Sequence, residues 1–234
     1  PTLGALMKAR DPRSRVVAVA GKDRAAIMMA GRGADEVLWL APAGLTSYRG
    51  TALSPMAGQA GRAIGAAITA ATPPLDLPLP CAARDIAIPL PSGGTVGTGR
   101  FARAGDNFRA FLASPQADGA VLAAAAALRA DRKLGEGAGT DLLIVGLSAT
   151  DYVGHAYGTE GAEMCQQILA MDRELGDFFA RLDATGIDYL VTLTADHGGH
   201  DPPERLVQIA IPAERGGPAV APSALGKAVG DALG

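Results

Sequence analysis

Three short apolar runs, residues 15–20, 142–147 and 189–193, constrain the fold of this chain more than any other feature. Each is nearly continuous in Val, Leu, Ile or Ala rather than alternating with polar residues. Continuous runs suit strands covered on both faces, which is the situation of a parallel sheet between helix layers. Helical patterns separate them. The expected class is therefore α/β, a largely parallel sheet with helices on both faces.

At 234 residues the chain has the size of one domain, spanning 1–234. Hydrophobic residues make up 48%, but much of that is alanine, as at 123–127, which favours close helix packing. No apolar stretch reaches the ~20 residues of a membrane span. A net charge of -3 argues against a nucleic-acid surface, which would carry clustered Lys and Arg. The first residues lack the basic and apolar regions of a signal peptide, and Pro1 is not an initiator. Cys81 and Cys165 form no CxxC motif. They read equally as one disulfide or as two small buried hydrophobes.

The remaining pattern fills in the layers. Residues 23–30 read as a short helix, and 36–40 with 45–48 as paired strands around Pro42 and Gly44. Residues 54–72 read as an Ala-rich helix. From 73 to 107 prolines and glycines cluster, so an extended or hairpin-rich surface insert is expected. The glycines between Gly93 and Gly99 lack the GxxxxGK[ST] of a phosphate loop and read as a hairpin. Helices are expected at 118–134, where Asp118 could cap the N-terminus, and at about 160–183. The latter carries an apolar series at Met164, Ile168, Met171, Leu175 and Phe178. A last helix is expected at 223–233.

Chemistry concentrates just beyond two of the apolar runs, where α/β folds build their sites. Asp151 and His155 follow the second run, and Asp196, His197, Gly198 and Gly199 follow the third. Only three histidines are present, at 155, 197 and 200. Carboxylate oxygen and neutral imidazole nitrogen are ligands of catalytic Zn²⁺. Asp151 and His155, four apart, share one face of a helical turn. Asp196 and His197 are adjacent, and the glycines after them let the backbone leave strand geometry so that both side chains converge. This reads as most of the protein half of a two-metal site. His200 reads as a loop histidine near the site, and Tyr152 and Asn107 as structural. By charge alone, Lys22 and Arg24 read as a solvated helix start.

The segments 148–155 and 194–199, with Gly21-Lys22-Asp23-Arg24, resemble motifs of the alkaline phosphatase superfamily. The likeness is to the bacterial branch related to type I phosphodiesterases and nucleotide pyrophosphatases, in its phosphate-monoesterase subgroup. The resemblance implies an alkaline-phosphatase-like fold and two Zn²⁺ ions, one on Asp151 and His155, the other on Asp196 and His197. It implies that Lys22 and Arg24 bind the phosphate of a small ester substrate. In an extended segment, residues two apart point the same way. It also implies a Thr or Ser nucleophile upstream and a further histidine downstream, with no match between Pro1 and Gly234. The chain is thus expected to be an internal piece, inactive alone, with Thr2 a poor nucleophile candidate. The same resemblance implies a periplasmic or secreted enzyme. Oligomeric state is left open, with a monomer favoured. A phosphodiesterase of the same superfamily, or a non-catalytic binding module on a degenerate scaffold, are the alternatives.

Overall fold

Strand β1 (Val16–Ala20) lies at the centre of the molecule, with all five residues at 0% exposure. The computed structural model describes residues 1–217 and 220–233. Strand β2 (Glu36–Ala41) runs parallel to β1 on one side. On the other side runs β6 (Leu142–Gly146), also parallel, pairing Val16 with Leu142 through Ala20 with Gly146. Strand β3 (Gly44–Thr46) turns back antiparallel on β2, giving the order β3-β2-β1-β6.

Period-two alternation explains the two helix layers. Ala18 and Ala20 face α2 (Asp23–Ala30), whose Ala26 and Ala30 are buried against them. Small residues on both surfaces allow close approach. A short helix absent from the sequence pattern, α1 (Leu3–Arg10), lies on that face too: a Cβ on Gly4 would stand 2.8 Å from Val16 Cγ1. Val17 and Val19 point the other way into the larger core. There they meet Ile64 and Ile68 of α3 (Pro55–Thr69), Val121 and Leu128 of α5 (Pro115–Asp131), and Phe178 of α7 (Ala162–Asp183). Each such aliphatic side chain, fully buried, contributes roughly 1.5–3 kcal/mol.

Residues 73–107 are less superficial than their composition suggests. They hold the 3₁₀ turn Leu79–Arg84 and a short hairpin of β4 (Ile88–Pro89) and β5 (Thr95–Val96). Cys81, Ile88, Phe101 and Arg103 are buried. Cys81 forms a disulfide with Cys165 near the start of α7, which closes the question the sequence left open. The glycine-rich stretch gives its Gly97 and Gly99 amides to the carboxylate of Glu163, at 2.9 and 3.0 Å, rather than to a phosphate. The short helix α4 (Phe108–Leu112) follows, capped by the Asn107 side chain.

Three further expectations are corrected. Helix α5 starts at Pro115, so Asp118 lies inside it and caps a different helix. The buried stripe of α7 passes through Glu163, Gln167 and Ala170, leaving Ile168 exposed, because the facing surface offers polar partners. Residues 189–193 form no strand: Leu190 and Leu193 are 92% and 81% exposed, and no regular element lies between α7 and α8 (Pro203–Gln208). A strand needs a ladder and a cover. Neither is supplied here, and α9 (Pro222–Leu233), the last helix, buries none of its residues.

Candidate active site

Where β1 and β6 end, their following loops touch. The Gly21 amide bonds the Gly146 carbonyl at 2.9 Å. A Cβ on Gly21 would lie 2.7 Å from Ser148 Cβ, so this crossing requires glycine. The contact sets Lys22, the residue before α2, beside helix α6 (Ala149–Tyr157).

Helix α6 carries Asp151 in its first turn and His155 in its last. Its inner face is pinned by Ala149 and Val153, at 1% and 0% exposure. Ser148 gives no side-chain cap. Instead the buried Asp118 carboxylate accepts the Ala149 amide at 3.0 Å and the Gln167 side-chain amide at 2.9 Å. The helix ends at Gly158, whose φ of +86° favours glycine.

Asp151 is the hub. Its Oδ1 lies 3.5 Å from His155 Nε2 and 3.3 Å from His197 Nε2. Its Oδ2 accepts from Lys22 Nζ, which also stands 4.7 Å from the Tyr152 ring centre as a cation–π pair. Asp196 Oδ2 lies 3.6 Å from His197 Nε2. The structure thus brings Lys22, Asp151, His155, Asp196 and His197 to one place. Arg24 is different. It lies in the first turn of α2 and is exposed, whereas Lys22 precedes the helix with extended backbone. The helix expected at 23–30 is present from Asp23, so the same-side pairing expected of Lys22 and Arg24 in an extended segment does not hold. His200 hydrogen-bonds the Asp201 carbonyl at 3.0 Å through Nδ1.

Charge is tuned accordingly. Partial burial raises the Asp151 carboxyl, but the Lys22 hydrogen bond and charge, with the two histidines, outweigh it and hold the group below its ordinary value. The Nδ1 contact with the Gly198 carbonyl, and then Asp196, raise His197. Among the described residues no three His, Cys, Asp or Glu side chains form a closed metal cage. The donor types, carboxylate oxygen and imidazole nitrogen, are ones that zinc takes. Bonds of 2.0–2.1 Å in a tetrahedral site place neighbouring donors roughly 3.3 Å apart, and the Asp151–histidine distances lie close to that.

Asp118, Gln167 and Asp201 were not legible as contributors to the site. Asp118 and Gln167 sit within helical runs that give no sign of what they face. Only the Asp201-Pro202 dipeptide, a turn signal, marks the third.

Comparison with known proteins identifies the family and the fold. The type I phosphodiesterase / nucleotide pyrophosphatase family model matches residues 27–214. Alkaline phosphatase PhoK of Sphingomonas sp is 50% identical over 237 residues, covering 100% of this chain and 42% of the relative. Alkaline phosphatase PhoD of Zymomonas mobilis subsp. mobilis is 39% identical over 235 residues, covering 96% and 39%. The crystal structure of alkaline phosphatase PafA superposes with a TM-score of 0.73 at 27% identity, over 88% of this chain and 43% of that one. Fold and relatives define a chain of the alkaline phosphatase superfamily. Within it, the chain belongs to the type I phosphodiesterase / nucleotide pyrophosphatase family. It spans about two-fifths of the length of the relatives it matches.

Proposed function

We propose that this chain is part of a zinc-dependent hydrolase of phosphate monoesters. The observation that carries the reading is the gathering of Asp151, His155, Asp196, His197 and Lys22 where β1 and β6 end. Asp151 and His155 would hold one zinc ion, Asp196 and His197 the other. Bound there, zinc supplies Lewis acidity and charge neutralisation at a phosphoryl group. The chain's own groups do the rest. Lys22 places a cation beside the metal ligands, where it can bind the second negative charge that a monoester has and a diester lacks. The Tyr152 ring and the Asp151 carboxylate orient that ammonium. Arg24, in the first turn of α2, is exposed and long enough to reach toward a bound phosphate. The nucleophile is a Thr or Ser elsewhere in the whole protein. The Cys81–Cys165 disulfide supports export to an oxidising compartment, periplasmic or extracellular. No described helix is long and apolar enough to cross a membrane.

The test is elemental analysis and kinetics of the whole protein. About two zinc ions per chain are expected, lost when Asp151→Ala is combined with His197→Ala. Lys22→Ala or Arg24→Ala should slow monoester hydrolysis on the order of 10²–10³-fold and diester hydrolysis far less. Absence of zinc sinks the metal assignment. Equal losses on both ester types shift the reading to a phosphodiesterase, the activity named by the family.

A further inference from the structure

The two pairs of ligand-type residues are supported very differently, and besides the Asp151–His197 contact one further side chain joins them. Asp151 and His155 stand on a helix with a buried inner face. Asp196 and His197 lie on an irregular segment with no ladder. Among the described residues, the only hydrogen bonds from residues 190–201 to another part of the chain are two accepted by one atom, Asp201 Oδ1. They come from the Thr159 amide at 2.7 Å and the Glu160 amide at 3.0 Å. Those amides belong to the turn that ends α6, four and five residues after His155. Asp201 in turn lies four residues after His197. Asp201 is 4% exposed, and Arg205, one helical turn further on, lies 3.5 Å from the same oxygen. The approach is close on both sides. A Cβ on Gly158 would stand 2.5 Å from Asp201 Oδ1, and a Cβ on Gly199 2.9 Å from Thr159 Cγ2.

We infer that Asp201 is a positioning residue: it fastens the Asp196–His197 segment to the end of the helix that carries Asp151 and His155, and so sets the spacing of the two ligand pairs. The inference rests on the metal reading above. A carboxylate buried with two backbone donors cannot leave without abandoning both amides, so the attachment resists displacement. An outer residue of this kind typically changes metal affinity 10–100-fold when removed. Arg205 packs beside the carboxylate, and Glu163, at 0% exposure, borders Arg205 across Gly161. The turn is further held by the Arg84–Glu160 ion pair, at 2.8 Å, and by the disulfide two residues beyond Glu163. The glycine-rich insert, whose Gly97 and Gly99 amides bind Glu163, therefore backs the anchor rather than the substrate.

The experiment compares the whole protein with its Asp201→Ala, Asp201→Asn and Gly158→Ala variants. Zinc affinity is read by chelator competition, geometry by the visible spectrum of the cobalt(II)-substituted protein, and the anchor by amide hydrogen exchange at residues 159 and 160. Asp201→Ala should weaken zinc 10–100-fold, alter the cobalt spectrum and speed exchange at both amides. Asp201→Asn keeps an acceptor oxygen and should recover most of the affinity. Gly158→Ala, which presses on the same carboxylate from the other side, should reproduce the loss and keeps the idea testable if Asp201→Ala does not fold. A merely structural role would lower the melting temperature of Asp201→Ala with zinc affinity and cobalt spectrum unchanged, and that result overturns the inference. Failure of the metal reading looks different: the unaltered protein would bind no zinc. Exchange then decides alone, and unchanged protection of amides 159 and 160 in Asp201→Ala refutes the anchor.

Discussion

Helix α6 and the segment 189–201 carry equivalent pairs of residues but are built in opposite ways. The helix has Val153 at 0% exposure, a carboxylate cap from α5 and a glycine stop. The segment has Leu190 at 92% exposure and no ladder. Side chains four apart on a helix are brought together by the helix itself. Adjacent side chains on an irregular segment converge only if something distant holds the backbone. A pair of the first kind is secured locally, and one of the second kind depends on tertiary contacts.

The sharpest way to break this contrast is Asp151→Asn. Asp151 touches Lys22, His155 and His197, so both arms depend on it. Ester hydrolysis by the whole protein should fall at least about 10³-fold, equivalent to ~4 kcal/mol of barrier, with zinc content falling in parallel. A loss of tenfold or less, measured as kcat/KM, would mean that the two arms act separately.

Next is the disulfide that ties residues 73–107 to α7. It closes a loop of 84 residues, for which chain entropy alone suggests about 4.5 kcal/mol. Cys81→Ser with Cys165→Ser should lower stability by several kcal/mol in denaturant melts. It should disturb the α6–α7 turn more than β1, as read by hydrogen exchange along the chain.

A pH series probes the support of α6. Burial pushes Asp118 up to about 6 from 3.8, against the bonds from Ala149, Gln167 and Ser148. Burial and then the charge of Asp118 push Glu174 up to about 7 from 4.5. A raised acid is protonated more readily in the folded state, so its burden on stability is absent below the unfolded value and complete above the folded one. Stability from these two groups should therefore decline as pH rises from about 4 through 7, and then level. The Asp118 share is about 3 kcal/mol at most. Asp118→Asn should flatten the decline between pH 4 and 6 in urea titrations.

The smallest expected effect tests the segment directly. Leu190→Ser should change stability by less than ~0.5 kcal/mol, since an exposed side chain has little to lose. A cost above about 2 kcal/mol would show that residues 189–193 are buried in the whole protein, as a strand would be, and would remove half of the contrast.

Much of this was legible from local patterns. Continuous Val and Ala at 16–20 demand cover on both faces, and the Ala18/Val19 alternation divides the two helix layers. Asp151 and His155 were readable because helical geometry converts a spacing of four into proximity. Residues 189–193 misled for the same physical reason: an apolar run reports a wish for burial, not the presence of a partner strand. Arg24 misled because the helix expected at 23–30 already includes it, so a same-side pairing with Lys22 in an extended segment could not hold.

By itself the sequence determined the α/β layering, the central strand and the identity of the Asp, His and Lys side chains that meet. Those depend on periodicity and on donor chemistry, which are properties of residues a few positions apart. Only the tertiary structure decided that Asp118 caps a helix other than its own, that Cys81 reaches Cys165, and that Asp201 holds the turn after His155. Each of these joins residues 31, 84 or 42 positions apart. No local propensity encodes such a pairing, because its free energy exists only once the sheet and its helix layers have brought both partners out of water and within hydrogen-bond or covalent reach.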